Sequence, residues 1–91
     1  MRPAHVDPEE LRKFANSLKM FNDNLQKDVK QLKARFRALE SNAWKDQVHD
    51  RFAQEFEETM RVIAKFIKHS EEHVPFLRKK AEVIEGDYFG R

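Results

Sequence analysis

Leucine returns at every seventh position along the first half of the chain, at Leu11, Leu18, Leu25, Leu32 and Leu39. No Gly or Pro falls between Glu9 and Ser41, so nothing in that stretch stops a helix. Two helical turns take about seven residues, so the repeat lays one apolar edge along a helix. A strand is excluded, because its faces alternate at every second residue. The companion apolar positions are Phe14 and Phe21 at first, then Val29 and Phe36, so the stripe drifts around the helix midway.

The start of this helix is marked by Val6-Asp7-Pro8-Glu9-Glu10-Leu11. Asp7 is placed to cap, and Pro8 suits the first helical position. Glu10 falls where a capping box needs it, and Val6 and Leu11 occupy the two places of a hydrophobic staple. Ser41-Asn42-Ala43-Trp44-Lys45-Asp46 then interrupts the pattern with a short polar turn carrying the one Trp.

A second stripe begins at Val48 and runs through Phe52, Phe56, Met60, Ile63, Ile67, Ser70, Val74, Leu77, Ala81 and Ile84 to Tyr88. Its mean spacing is about 3.6 residues, the period of an α-helix. Pro75 inside this run predicts a bend or a split near Glu72, and Gly86 predicts the helix end. The chain therefore reads as one all-α domain over 1–91, with helix 1 over about 8–40, a turn at 41–46, helix 2 over about 47–85 and a tail at 86–91.

Two long helices joined by a short turn lie antiparallel, as a helical hairpin. Such a hairpin buries one stripe per helix, and the second helix has more apolar surface than that. Val62, Phe66, His69, His73 and Phe76 make a further row at helical spacing. A surplus of this kind predicts dimerisation into a four-helix bundle, with Leu11, Leu18, Leu25, Phe56, Ile63 and Phe66 carrying the packing.

Other chemistries find little support. Without Cys there is no disulfide, thiol nucleophile or Cys-based zinc site. The longest apolar runs are two or three residues, too short for a membrane span or the core of a secretory signal. The net charge of +2 gives no strong pull toward nucleic acid. Lys27, Lys30, Lys33, Arg35 and Arg37 make the late first helix basic, but Asp28 and Glu40 dilute them, and a solvated face is the expectation. Ser17, Ser41 and Ser70 are isolated and there is no Gly-rich phosphate loop, so no enzyme activity and no cofactor are expected. His69 and His73 are four apart and share a helix face, as two metal ligands would. His69-Ser70-Glu71-Glu72-His73 does not follow the zinc-peptidase arrangement, however, and both rings border the apolar row. A metal carrier is the least favoured reading, and no metal site is assigned.

The order of these features resembles the WXG-type, early-secreted-antigen-like family of helical hairpins exported by type VII secretion systems. The residues that carry the likeness are Val6-Asp7-Pro8-Glu9-Glu10-Leu11 with Ala15, Trp44-Lys45-Asp46 at the turn, and Val48 and Phe52 after it. Leu77, Ala81, Ile84 and Tyr88 complete it at the end. Two departures are visible. The family pattern has Gly as the third residue of its turn, where this chain has Asp46, a residue placed to cap the second helix instead. Secreted members also carry a Tyr followed four positions later by an acid. Tyr88 has that location, and the fourth position after it lies beyond Arg91.

The resemblance implies a non-enzymatic protein that acts through protein–protein contacts as substrate or partner of a type VII secretion system. It implies export without a cleaved signal peptide, Trp44, Asp46 and Tyr88 as the export feature, and a secretion ATPase as partner. It also implies a dimer, either of two copies or with a sister hairpin. The alternative reading is a non-exported cytoplasmic adaptor or structural dimerisation module of the same fold.

Overall fold

The structure, a computed structural model, describes the backbone of residues 6–89 and the side-chain surroundings of residues 6–86. It is an antiparallel hairpin of two helices, α1 (Pro8–Ser41) and α2 (Gln47–Phe89), forming a rod of 67 × 23 × 15 Å. Asp7 caps α1: its carboxylate accepts from the Glu9 backbone N–H at 3.0 Å, with Pro8 in the first turn. The reciprocal half of the expected capping box does not form. The Glu10 carboxylate turns to Lys13 at 3.4 Å instead.

From Phe56 onward the second stripe packs as its spacing requires, whereas its first two members, Val48 and Phe52, are exposed. Phe56, Met60, Ile63, Ile67, Ser70, Val74, Leu77, Ala81 and Ile84 alternate steps of four and three, and every one is buried or half-buried against α1. Pro75 neither splits nor ends α2, which runs through it unbroken. Val74 and Leu77 on either side are anchored in the seam, which holds the helix across the missing hydrogen bond. Gly86 is also helical and exposed, with open space where a Cβ would sit, and α2 continues to Phe89. Glycine in a helix costs only about 1 kcal/mol, too little to end a helix by itself.

The seam of α1 differs from the sequence expectation. Leu11, Ala15, Leu18, Asn22, Leu25, Val29 and Phe36 face α2, with Ala15 and Asn22 fully buried. Phe14 and Phe21 are not companions in this seam, being 58% and 52% exposed. A ladder of strict seven-residue period rotates about 20° per heptad around a straight helix. The leucines accordingly start in the seam at Leu11, Leu18 and Leu25 and emerge from it, half-exposed, at Leu32 and Leu39. At the end remote from the turn, the Arg12 guanidinium spans the two helices and donates to both oxygens of Glu85, which lies on the far arm of the hairpin.

Candidate functional site

The turn is built by two interlocking caps. α1 ends on Asn42, whose N–H donates to the Leu39 carbonyl at 3.1 Å, and on Ala43, whose N–H donates to the Glu40 carbonyl at 3.0 Å. Ala43 takes the left-handed backbone conformation with φ 67°. It is the one non-glycine residue among those described to do so, so Asp46, at the family's Gly position, bears no such strain. Asp46 caps α2 instead: its carboxylate accepts from the His49 N–H at 2.8 Å, while its carbonyl accepts from the Asp50 N–H at 3.1 Å.

Trp44, half-buried, lies over the end of the hairpin. Its ring meets His49 edge-on at 5.1 Å and packs 6.3 Å from Phe52 and 6.5 Å from Phe36. His49 is the centre of this cluster and was not singled out from the sequence. Its ring stacks on Phe36 at 5.9 Å and only 13% of its side chain is exposed. One ring nitrogen lies 2.7 Å from the Glu40 carboxylate on α1, and the other lies 3.1 Å from Asp50. The signal for it is slight: a His three residues after the Asp cap, in a polar stretch, looks like solvated surface.

These contacts give the two ends of the hairpin opposite responses to pH. The bond to Glu40, and after it the one to Asp50, raises the His49 pKa above its ordinary value. The clasp is therefore complete below the ordinary His range and is lost as pH rises through the raised value. At the other end, the bond from Arg12 lowers the Glu85 pKa, so that pair is complete above the ordinary carboxylate range and is lost as pH falls through the lowered value. We expect the parent to lose thermal stability as pH rises from the ordinary His value through the raised one, and His49→Gln to remove that loss while leaving the acid limb unchanged. A parent with no such loss would show that the clasp contributes nothing.

The second feature is an apolar face along one side of the rod. Phe14, Phe21, Leu32 and Leu39 of α1 lie beside Phe52 and Phe66 of α2, all exposed. The Phe21 and Phe66 rings meet edge-to-face at 6.1 Å across the two helices. Two shallow grooves indent this face. One, of about 490 Å³, is lined by Leu32, Leu39, Phe52, Phe56 and Thr59 among others. The other, of about 370 Å³, is lined by Phe14, Leu18, Phe66, His69, Ser70, His73 and Leu77. His69 and His73 are thus exposed residues bordering the apolar groove. Among the described residues no group of three His, Cys, Asp or Glu side chains converges as metal ligands would.

The other residues singled out from the sequence divide between seam and face. Leu11, Leu18, Leu25, Phe56 and Ile63 are half-buried in the hairpin's own seam, while Phe66 is 47% exposed on the outer face. The backbone of Tyr88 lies in the last turn of α2; its side chain lies outside the described residues. The turn thus brings Trp44 and Asp46 together, at the end of the rod opposite to that approached by the Tyr88 backbone.

Comparison with curated proteins and with solved structures returns no significant match. The family profile described as WXG100, proteins of 100 residues with WXG, matches residues 4–86. That span takes in both helices to within three residues of the α2 end, with Trp44 at the turn between them, and the chain belongs to the WXG100 family.

Proposed function

We propose that this hairpin is a substrate or partner of a type VII secretion system, working as a dimer and exported without a cleaved signal peptide. Membership of the WXG100 family points to a small helical protein associated with type VII secretion, a family of secretion substrates and not of enzymes. No helix among the described residues is long and apolar enough to cross a membrane. The observation that carries the reading is the pairing of a preserved Trp turn with a phenylalanine-rich outer face that the hairpin itself leaves uncovered.

In this reading a second copy covers the apolar face and the two hairpins close into a four-helix bundle. A distinct sister hairpin is the other candidate for that place. Trp44 is held by Phe36, Phe52 and His49, so its ring is offered at the tip as a fixed surface for the secretion machinery, including an ATPase. Asp46 fixes the turn, and Tyr88 would act from the opposite end of α2.

Export in a host that carries the cognate secretion locus tests this. Trp44→Ala is expected to lower accumulation in the medium by at least about tenfold while the intracellular protein keeps its dimeric mass. Tyr88→Ala is expected to do the same. Undiminished export of both variants would remove these residues from the mechanism. Retention of the parent inside the cell would favour a cytoplasmic adaptor of the same fold.

A further inference from the structure

The side of the rod opposite the apolar face carries a groove of its own. The same rotation that turns Leu32 and Leu39 out of the seam leaves its other edge, near the turn, to Lys33, Arg37 and Glu40. The result is an indentation of about 410 Å³ between α1 and α2, floored by Phe36, Ala53, Phe56, Met60 and Ala64. Lys33, Arg37 and Arg61 rim it. Lys30 precedes Lys33 by one helical turn, and Lys68 follows Ala64 by one, extending the basic rim along both helices. Among the described residues none of these five cations has a carboxylate within 4.0 Å. Glu57 is the acidic residue lining the groove that carries no other partner; Glu40 is engaged by His49.

We propose that this groove docks an acidic polypeptide segment that seats an apolar side chain on the Phe36–Phe56–Met60 floor. Charge complementarity selects the acidic flanks, since five cations with no carboxylate beside them leave a local positive strip on a chain whose net charge is only +2. The apolar floor selects a side chain in preference to a phosphate chain, which would gain nothing from it. Among the described residues no exposed aromatic ring lines the groove to stack bases. A groove between two parallel ridges matches a helical or extended peptide. It opens on the side of the rod away from Phe21 and Phe66 and so stays accessible when the apolar face is covered, while its floor residues Phe36, Phe56 and Met60 also line the groove of that face near the turn.

The test is fluorescence anisotropy with a labelled peptide of about 16 residues, Glu-rich, with Leu and Phe at helical spacing. Binding to the parent is expected at about 10–100 μM and is expected to weaken at least about tenfold between 50 and 500 mM salt. The triple variant Lys33→Glu/Arg37→Glu/Arg61→Glu is expected to weaken it at least about tenfold. Ala64→Trp, which fills the groove without changing charge, is expected to do likewise. Lys13→Glu/Lys79→Glu, remote from the groove, is expected to leave it unchanged. Circular dichroism and sedimentation of the same samples report separately on folding and on the apolar face. No peptide binding up to about 1 mM overturns the proposal. So does equal binding of a peptide with Ser for each Leu and Phe, or tighter binding of an oligonucleotide or of phosphatidylglycerol vesicles.

Discussion

Phe66→Asp, and more strongly Phe21→Asp/Phe66→Asp, is expected to yield a helical protein that sediments near the chain mass of 10.9 kDa under conditions where the parent sediments near twice that value. The reason lies in how little the hairpin buries alone. Among the described residues its buried hydrophobic side chains are Ala15, Met60, Ile67, Val74 and Ala81, two of them alanines. Phe14, Phe21, Phe52 and Phe66 meanwhile stand roughly half exposed on one side, at 44–58%. Fully burying each such ring contributes roughly 1.5–3 kcal/mol, so covering this face moves the molecule from a marginal core toward the usual domain stability of about 5–15 kcal/mol. Phe21 and Phe66 meet at the centre of that face, where a carboxylate would be desolvated without a partner. We expect dissociation to rise by at least about a hundredfold, about 3 kcal/mol. The parent's urea midpoint is expected to rise with protein concentration, as it must when unfolding and dissociation are linked, and the variant's to be flat. A variant that kept the double mass would show that another surface pairs the hairpins. A parent monomeric at every concentration would show that the face awaits a different chain.

Much of this architecture is legible in the residues, and the exceptions have physical reasons. The Asp7 cap, the α1 span, the turn and the second stripe from Phe56 to Ile84 follow from local chemistry and from a period that only a helix satisfies. The surplus row Val62, Phe66, His69, His73 and Phe76 is exposed, as its position outside the stripe implies. What periodicity could not resolve is which of two neighbouring lanes of α1 enters the seam. Phe14 and Phe21 look like better core residues than Ala15 and Asn22, yet the small pair lies inside and the large pair outside. Residue type misleads here because, in the proposed dimer, the phenylalanines serve a surface that becomes a core only on association. His49 and the Arg12–Glu85 pair were hidden for a different reason. They join groups on different helices, in the second case 73 positions apart, and nothing local marks either partner. Gly86 does not end α2 because its helix cost of about 1 kcal/mol is small, and Pro75, at about 3 kcal/mol, does not split a helix whose seam continues on both sides of it.

Asn22 carries the other large effect, and its sign is opposite. Its side chain is fully buried, and neither its amide nitrogen nor its carbonyl oxygen has a hydrogen-bond partner in the protein. Ser70, the other buried polar residue of the seam, is satisfied by its own helix, donating to the Phe66 carbonyl at 2.5 Å. Asn22 instead borders a cleft of about 260 Å³ with Glu71, Val74 and Pro75. Pro75 has no N–H for the Glu71 carbonyl, and both residues line this cleft beside Asn22. A buried carboxamide without partners costs about 1–3 kcal/mol, and the cleft leaves room for a larger side chain. Asn22→Leu is therefore expected to raise unfolding stability by about 2 kcal/mol, seen as a higher urea midpoint at unchanged slope. Asn22→Asp is expected to lower it by at least as much, because the same site then holds an unpaired charge. A lower midpoint for the leucine variant would mean that the carboxamide stabilises the fold.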